Sequence, residues 1–335
     1  MKRSASAEQL LGPVLRSVSR SFYISIRLLP MRVREPVGLA YLLARATDTL
    51  ADTFEVPASV RKEALQTVAA AIQSDDAVGG TLDLQKTFVP LQSNEAERTL
   101  IGLLPECLRA LAQISSADRD DIRVVLAKIT RAQAMDLEWF GDAGQAKAPS
   151  TAADLHLYTY LIAGCVGEFW TQICSRHVGN FSKSAQDQML PLGKRYGQGL
   201  QLINILRDAG DDLRGGRCYF PAEELHAHSL EPSEILEKPT QFLPVYARWL
   251  EEAERGLKAG MQYVEAVENR RIRGATALPA LIGARTLALL HEAGAAVFER
   301  RIKVPRRETK RMIGSVAMSL ASKRSLDRMF QRLSR

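Results

Sequence analysis

The sequence predicts an all-α fold, and three observations carry that prediction. Apolar residues recur at three- and four-residue steps along most of the 335-residue chain. Strong helix formers (Ala, Leu, Glu, Arg and Gln) are abundant. Alternating apolar–polar runs of the strand kind are scarce, and β-branched clusters are short. Apolar residues make up 46% of the chain and charged residues 25%, which suits a soluble domain with a sizeable core.

In chain order, helices are expected over about 8–26, 34–54, 57–74, 94–114, 118–140, 151–178, 184–213, 242–269, 277–300 and 306–332. Pro36 and Pro57 are each expected in a first helical turn, where a missing N–H costs nothing. Ser150-Thr151 followed by Asp154 reads as an N-cap with an acid in the first turn. Breaks are expected at Gly79-Gly80, from Gly141 to Pro149, at Gly215-Gly216 and at Pro239. The length would hold two average domains. No linker rich in Gly, Ser or Pro divides the chain, however, and no repeat is present. One helical domain over 1–335 is the economical reading, with a core at about 8–300 and a basic C-terminal helix at about 301–335.

The formal charge is +7 and the isoelectric point lies near 9.3, which suits an anionic partner. The excess is uneven: from Arg300 to Arg335 there are 12 Lys or Arg residues against Glu308 and Asp327. A solvated face and peripheral attraction to a lipid surface are the two readings of this stretch. No helix-turn-helix, finger or aromatic-basic strand motif supports nucleic-acid binding. Cys107, Cys165, Cys174 and Cys218 are scattered without a C-x-x-C pair, the pattern of a reduced compartment, and Cys165 and Cys174 read as buried thiols. His226 and His228 lack companions at zinc-like spacing and read as loop residues. The N-terminus lacks the apolar stretch of a secretory signal. No run of about 18 uncharged apolar residues is read in the chain; the closest, Leu157 to Gly167, is too short to span a bilayer and ends at Glu168. A cytoplasmic protein is expected, with contact at the inner face of the membrane through its basic C-terminal region.

Two acidic stretches carry the chemistry. In the first, Tyr41, Arg45, Asp48 and Asp52 fall at steps of four, three and four, one stripe of a helix whose other neighbours are apolar. In the second, Gln201, Asn204, Asp208, Asp211 and Asp212 share a face by the same arithmetic, with Arg207 beside them. One such pair is usually solvated decoration. Like charges at this spacing repel slightly, and Asp is a poor residue mid-helix. Two such stripes, each inside an apolar helix and each with an arginine, point to a metal–anion site. Carboxylates on facing helices can hold Mg²⁺, which keeps part of its water and takes further ligands from phosphate oxygens. Arg45 and Arg207 would add forked donors to the same oxygens.

At these residues the chain resembles the squalene/phytoene synthase family, from about Ser17 to Arg307. Ser19-Arg20-Ser21-Phe22 resembles the family's opening segment, which contacts diphosphate. Asp48 to Asp52 resembles the first aspartate-rich motif, with Tyr41 and Arg45 at the family's upstream positions. Tyr158 to Glu168, with Gly164 and Gly167, resembles the central helix signature, and Tyr158 falls on its active-site tyrosine. Asn204, Arg207, Asp208, Asp211 and Asp212 match the second aspartate-rich motif, and Gly215 to Pro221, including Arg217 and Tyr219, the segment that closes it. Two departures stand out: the first motif lacks an acid before Asp52, and Asp211 replaces the usual Glu.

The resemblance implies an isoprenoid synthase helical bundle around a central prenyl-binding cavity. It implies Mg²⁺, with Mn²⁺ as a substitute, on Asp48, Asp52, Asp208, Asp211 and Asp212. Diphosphate would fall to Ser19, Arg20, Ser21, Arg45, Gln201, Asn204, Arg207 and Arg217. Phe22, Tyr41, Tyr158 and Tyr219 would wall the cation or handle protons, although Phe22 and Tyr219 also read as ordinary core aromatics. The implied reaction joins two farnesyl diphosphates through presqualene diphosphate to squalene, with hydride from NADPH. Lys303 and Arg306 fall where the NADPH phosphate would be met. Dehydrosqualene or phytoene synthesis without NADPH is the alternative, and a non-catalytic helical assembly factor the remote one. The oligomeric state is not legible in the chain.

Overall fold

The computed structural model describes residues 5–19, 22–75, 81–141, 148–319 and 322–334. Among these the chain is all-α; the one β-type pairing is an isolated antiparallel bridge between Ser182 and Val267. Contacts group the residues into two compact units, Met1–Gly141 with Gln172–His177, and Asp142–Thr171 with Val178–Arg335.

The first unit contains α1 (Ala5–Gln9), α2 (Leu15–Ser19), α3 (Phe22–Leu28), α4 (Met31–Ala51), α5 (Ala58–Gln73), α6 (Thr81–Phe88), α7 (Glu95–Gly102), α8 (Leu104–Gln113) and α9 (Ser116–Phe140). The helix expected at 8–26 is broken. Pro13 lies inside a π turn at Leu10–Val14, because its ring and missing N–H disrupt the regular ladder. The helix expected at 94–114 splits at Leu103, two residues before Pro105 at the start of α8. Pro36 is not in a first turn: α4 starts at Met31, which puts Pro36 inside the helix. Pro57 is the N-cap of α5. The α6 helix was not foreseen; its eight residues are too few for a clear period. The Gly79-Gly80 break lies outside the described residues.

The second unit contains α10 (Ala152–Thr159), most of α11 (Cys165–His177), α12 (Gln186–Arg214), α13 (Ala222–Ala227), α14 (Pro239–Ala266), α15 (Arg270–Ala293), α16 (Arg306–Ser319) and α17 (Lys323–Leu333). Thr151 caps α10 in a reciprocal capping box with Asp154, as the sequence predicts. A π turn at Tyr160–Gly164 interrupts the expected 151–178 helix. Gly215 caps α12, and Gly216, at φ +76°, turns the chain out of it. Pro239 opens α14 rather than marking a gap before it. His226 lies on the short α13, not in a loop. All four cysteines are free and buried.

The unit's core is the crossing of α12 with α14, and α15 packs against both. Glycines set the approach: a Cβ built on Gly256 would lie 2.5 Å from the Gly199 Cα, and one on Gly167 would lie 1.9 Å from the Gly193 carbonyl oxygen. Only hydrogen side chains permit this backbone contact. Residues 270–297 are long and apolar enough to cross a membrane by length and composition, and half of their most apolar part is buried. This segment is longer than the uncharged run Leu157 to Gly167 but is interrupted by Arg273 and Arg285. A helix covered on most sides must be apolar on most sides, and Ile272, Leu278, Leu281, Leu287 and Leu290 are all buried.

Candidate active site

The first acidic stripe lies on α4. Leu42, Leu43, Ala46, Leu50 and Ala51 are buried, which leaves Tyr41, Arg45 and Asp48 half-buried and Asp52 exposed. The end of this helix is held from three sides. Buried Arg61 donates to the carbonyls of Ala51 (2.7 Å) and Val56 (3.0 Å). Thr53 donates to the Thr49 carbonyl at 2.7 Å, and Gln92 donates to Thr53 at 2.8 Å. The acids therefore sit on a fixed support.

Arg45 bridges the Asp48 and Glu97 carboxylates. Desolvation and the neighbouring Asp52 charge push the Asp48 carboxyl up to about 6 against the pull of Arg45. Tyr41 donates to the Val18 carbonyl at 3.2 Å, and its ring lies 5.3 Å from that of Phe22. Ser19 is buried with its hydroxyl donated to the Leu15 carbonyl. Arg20 and Ser21 lie outside the described residues.

The second stripe lies on α12, where Leu202, Ile203, Ile205, Leu206 and Ala209 are buried. Gln201, Asn204, Asp208, Asp211 and Asp212 line the other side, and Asn204 approaches Gln201 at 3.4 Å. Arg207 grips Asp208 through two N–H groups, at 3.0 and 2.5 Å. Arg301 adds a third donor to Asp208 at 2.6 Å. Burial would raise the Asp208 carboxyl, yet the two guanidiniums hold it below the usual range. At Asp212 the balance reverses: burial outweighs Arg217, at 2.6 Å, and lifts the carboxyl. Asp211 pairs with Arg214 at 2.6 Å. The Arg217 N–H also donates to the Asp212 carbonyl at 2.8 Å, which folds the Gly215-Gly216 loop back on the helix. Tyr158 is buried, with its ring 5.4 Å from Tyr219. Lys303 and Arg306 are exposed.

Among the described residues, no three His, Cys, Asp or Glu side chains gather as a ready-made metal cage. The acids come as small sets of hard oxygen donors. That fits Mg²⁺, which binds through one or two carboxylates and completes its shell with water and phosphate. The repulsion between Asp52 and Asp48 is what a cation there would relieve.

Two residues at these clusters escaped the sequence reading, Glu97 and Arg301. Each meets its partner across a long separation, 45 to 97 and 208 to 301, and no spacing rule reaches that far. The glycines of the 158–168 segment serve helix–helix contact, Gly164 and Gly167 lying against α12.

A family model described as squalene/phytoene synthase matches residues 15–308. A squalene synthase of Botryococcus braunii is 24% identical over 283 residues, covering 83% of this chain and 57% of that protein. A bifunctional lycopene cyclase/phytoene synthase of Arthroderma gypseum is 26% identical over 245 residues, covering 72% of this chain and 39% of its own length. The chain thus spans about half the length of the curated relatives it matches. Among solved structures, TcSQS in complex with a ligand superposes with a TM-score of 0.78 at 19% identity, over 98% of this chain and 90% of that one, which supports the all-α isoprenoid synthase fold. With both aspartate clusters and the intervening segment inside the matched region, the chain belongs to the squalene/phytoene synthase family.

Proposed function

We propose that the chain is a prenyltransferase that condenses two farnesyl diphosphates head to head, through presqualene diphosphate, to squalene. The observation that carries this reading is the pairing of acids with arginines in both clusters: Arg45 on Asp48, Arg207 and Arg301 on Asp208, Arg217 on Asp212. Each cluster holds ligands for a hard cation and ligands for the diphosphate that the cation accompanies. Magnesium, or manganese in its place, would supply charge neutralisation for the departing diphosphate.

The chain's own residues do the rest. Asp48 on α4 with Asp52 at its C-cap, and separately Asp208, Asp211 and Asp212 on α12, would hold the cations that accompany diphosphate. Arg45, Arg207 and Arg217 turn their forked donors from carboxylate to diphosphate oxygens as it binds, a like-for-like exchange of charge-assisted bonds. Gln201 and Asn204 add neutral donors along the same face. Tyr158 and Tyr219, and separately Phe22 and Tyr41, offer ring faces that stabilise a nearby allylic cation and exclude water. NADPH, when bound, would supply the hydride for the second step, and Lys303 and Arg306 would meet its phosphates. We take the whole chain to act as one cytoplasmic prenyl-synthase domain.

A second reading, synthesis of dehydrosqualene or phytoene without NADPH, follows from the matched family and the phytoene synthase relative. Incubation of pure protein with farnesyl diphosphate and Mg²⁺, with and without NADPH, separates the two. Squalene formed only with NADPH is expected. Dehydrosqualene without it, or a C40 product from geranylgeranyl diphosphate, would transfer the assignment to the second reading.

A further inference from the structure

The C-terminal hairpin carries far more positive charge than the proposed reaction uses. The α16 and α17 helices together hold eight Lys or Arg residues against Glu308 and Asp327, and Glu308 is already engaged by Arg285 at 2.9 Å. The apolar side of α17, Leu326, Met329 and Phe330, is buried against α14 and α15. Its charged side therefore faces outward.

The outward face of α16 changes character along its length. Arg306, Arg307, Lys310 and Arg311 occupy the first half, and Gly314, Ala317 and Met318 follow on the same side. Met318 is 83% exposed, the most exposed large apolar side chain in the described chain. A row of cations leading to a bare methionine is polar where headgroups lie and apolar where acyl chains begin.

Two grooves flank α17 and repeat the same chemistry. One, of about 830 Å³, brings Lys258, Lys323, Arg324 and Arg328, with Glu265 and Asp327 among them, over a floor of Met261, Val264 and Phe330. The other, of about 310 Å³, brings Arg311, Arg332 and the paired Arg285 and Glu308 over Met312, Met329 and Leu333. In each groove the Lys and Arg side chains outnumber the acids above an apolar floor, and a phosphodiester headgroup with its first methylenes fits such a cleft.

We propose that α16 and α17 form a docking face for an anionic phospholipid leaflet, with headgroups in the two grooves and Met318 entering the interface. The contact is peripheral and electrostatic, because the apolar face of α17 is committed to the core. It does not depend on which prenyl product the protein makes.

The test is sedimentation of the full chain with vesicles of phosphatidylcholine, alone or mixed with phosphatidylglycerol. Binding only to the mixed vesicles at low salt is expected, with loss at about 1 M salt, where the screening length is about 3 Å. Each cation near an anionic surface contributes about fivefold in binding. Reversal of three charges in Arg311→Glu/Arg324→Glu/Arg328→Glu should therefore weaken it at least about 100-fold, with turnover on dispersed substrate unchanged. Met318→Asp, which leaves the cations in place, should weaken binding at low salt by itself. Equal binding to phosphatidylcholine, or no loss in either variant, overturns the proposal. So does full displacement of the protein from vesicles by inorganic phosphate or by a short random-sequence DNA duplex at equal charge concentration. Those outcomes would assign the face to soluble anions or to nucleic acid.

Discussion

Asp48 and Asp208 occupy equivalent places in two similar helical stripes but in opposite electrostatic settings. Asp48 has one guanidinium and a repelling neighbour, Asp52, and is pushed up to about 6. Asp208 has two guanidiniums and is held low. Either acid made neutral removes a charge that the proposed site uses against diphosphate. Asp48→Asn and Asp208→Asn are each expected to lower turnover at least about 100-fold while the helical circular dichroism stays intact; full activity in either refutes the metal assignment. Away from the site, Asp118 anchors a separate cluster: it accepts from Arg176 at 2.8 Å and from Ser115 at 2.8 Å, and meets His177 at 2.9 Å. Burial opposes its ionisation, but these partners outweigh burial and depress the carboxyl. A depressed acid stabilises the fold above its unfolded value and loses that contribution as pH falls through the folded one. Asp118→Ala should cost about 2 kcal/mol at neutral pH, the worth of hydrogen bonds to a charged group, since Arg176 keeps its pairing with Asp121. The gap to the unaltered protein should close below about pH 4, as read by denaturant melts across pH.

At the scale of elements, stability depends on helices packed closer than side chains normally permit. The α12–α14 crossing puts Gly199 and Gly256 backbone against backbone. In an exposed helix Gly→Ala is stabilising by about 1 kcal/mol. Here Gly256→Ala is expected to destabilise by about 2 kcal/mol, since the obstructing atoms belong to backbone and cannot rotate away. The same crossing carries the second acidic stripe, so a thermal melt that showed no loss would mean that α12 can move without harm. Helix existence was legible from the chain wherever the apolar period ran long, as in α4, α9, α12 and α14. Helix continuity was not. Proline entered α4 without ending it, yet accompanied a π turn at Pro13 and a break before Pro105. A proline removes one hydrogen bond; packing determines whether the helix continues without it.

Across the whole molecule, the chain alone was enough for the all-α class, the two acidic stripes, the capping box at Thr151 and the positive C-terminal region. These rest on local rules: a 3.6-residue period, side-chain reach over one turn, and charge counted along the chain. Tertiary structure decided which partners close those patterns. Glu97 reaches Arg45 and Arg301 reaches Asp208 across separations that no local rule spans, and Ser19 turns its hydroxyl to its own helix. It also placed the apolar length of α15 in a protein core, and turned the basic C-terminal stretch into two grooved helices with a buried underside. Period and charge are properties of neighbours in sequence. Burial and ion pairing depend on what folding brings alongside, and the free energy of both is set only there.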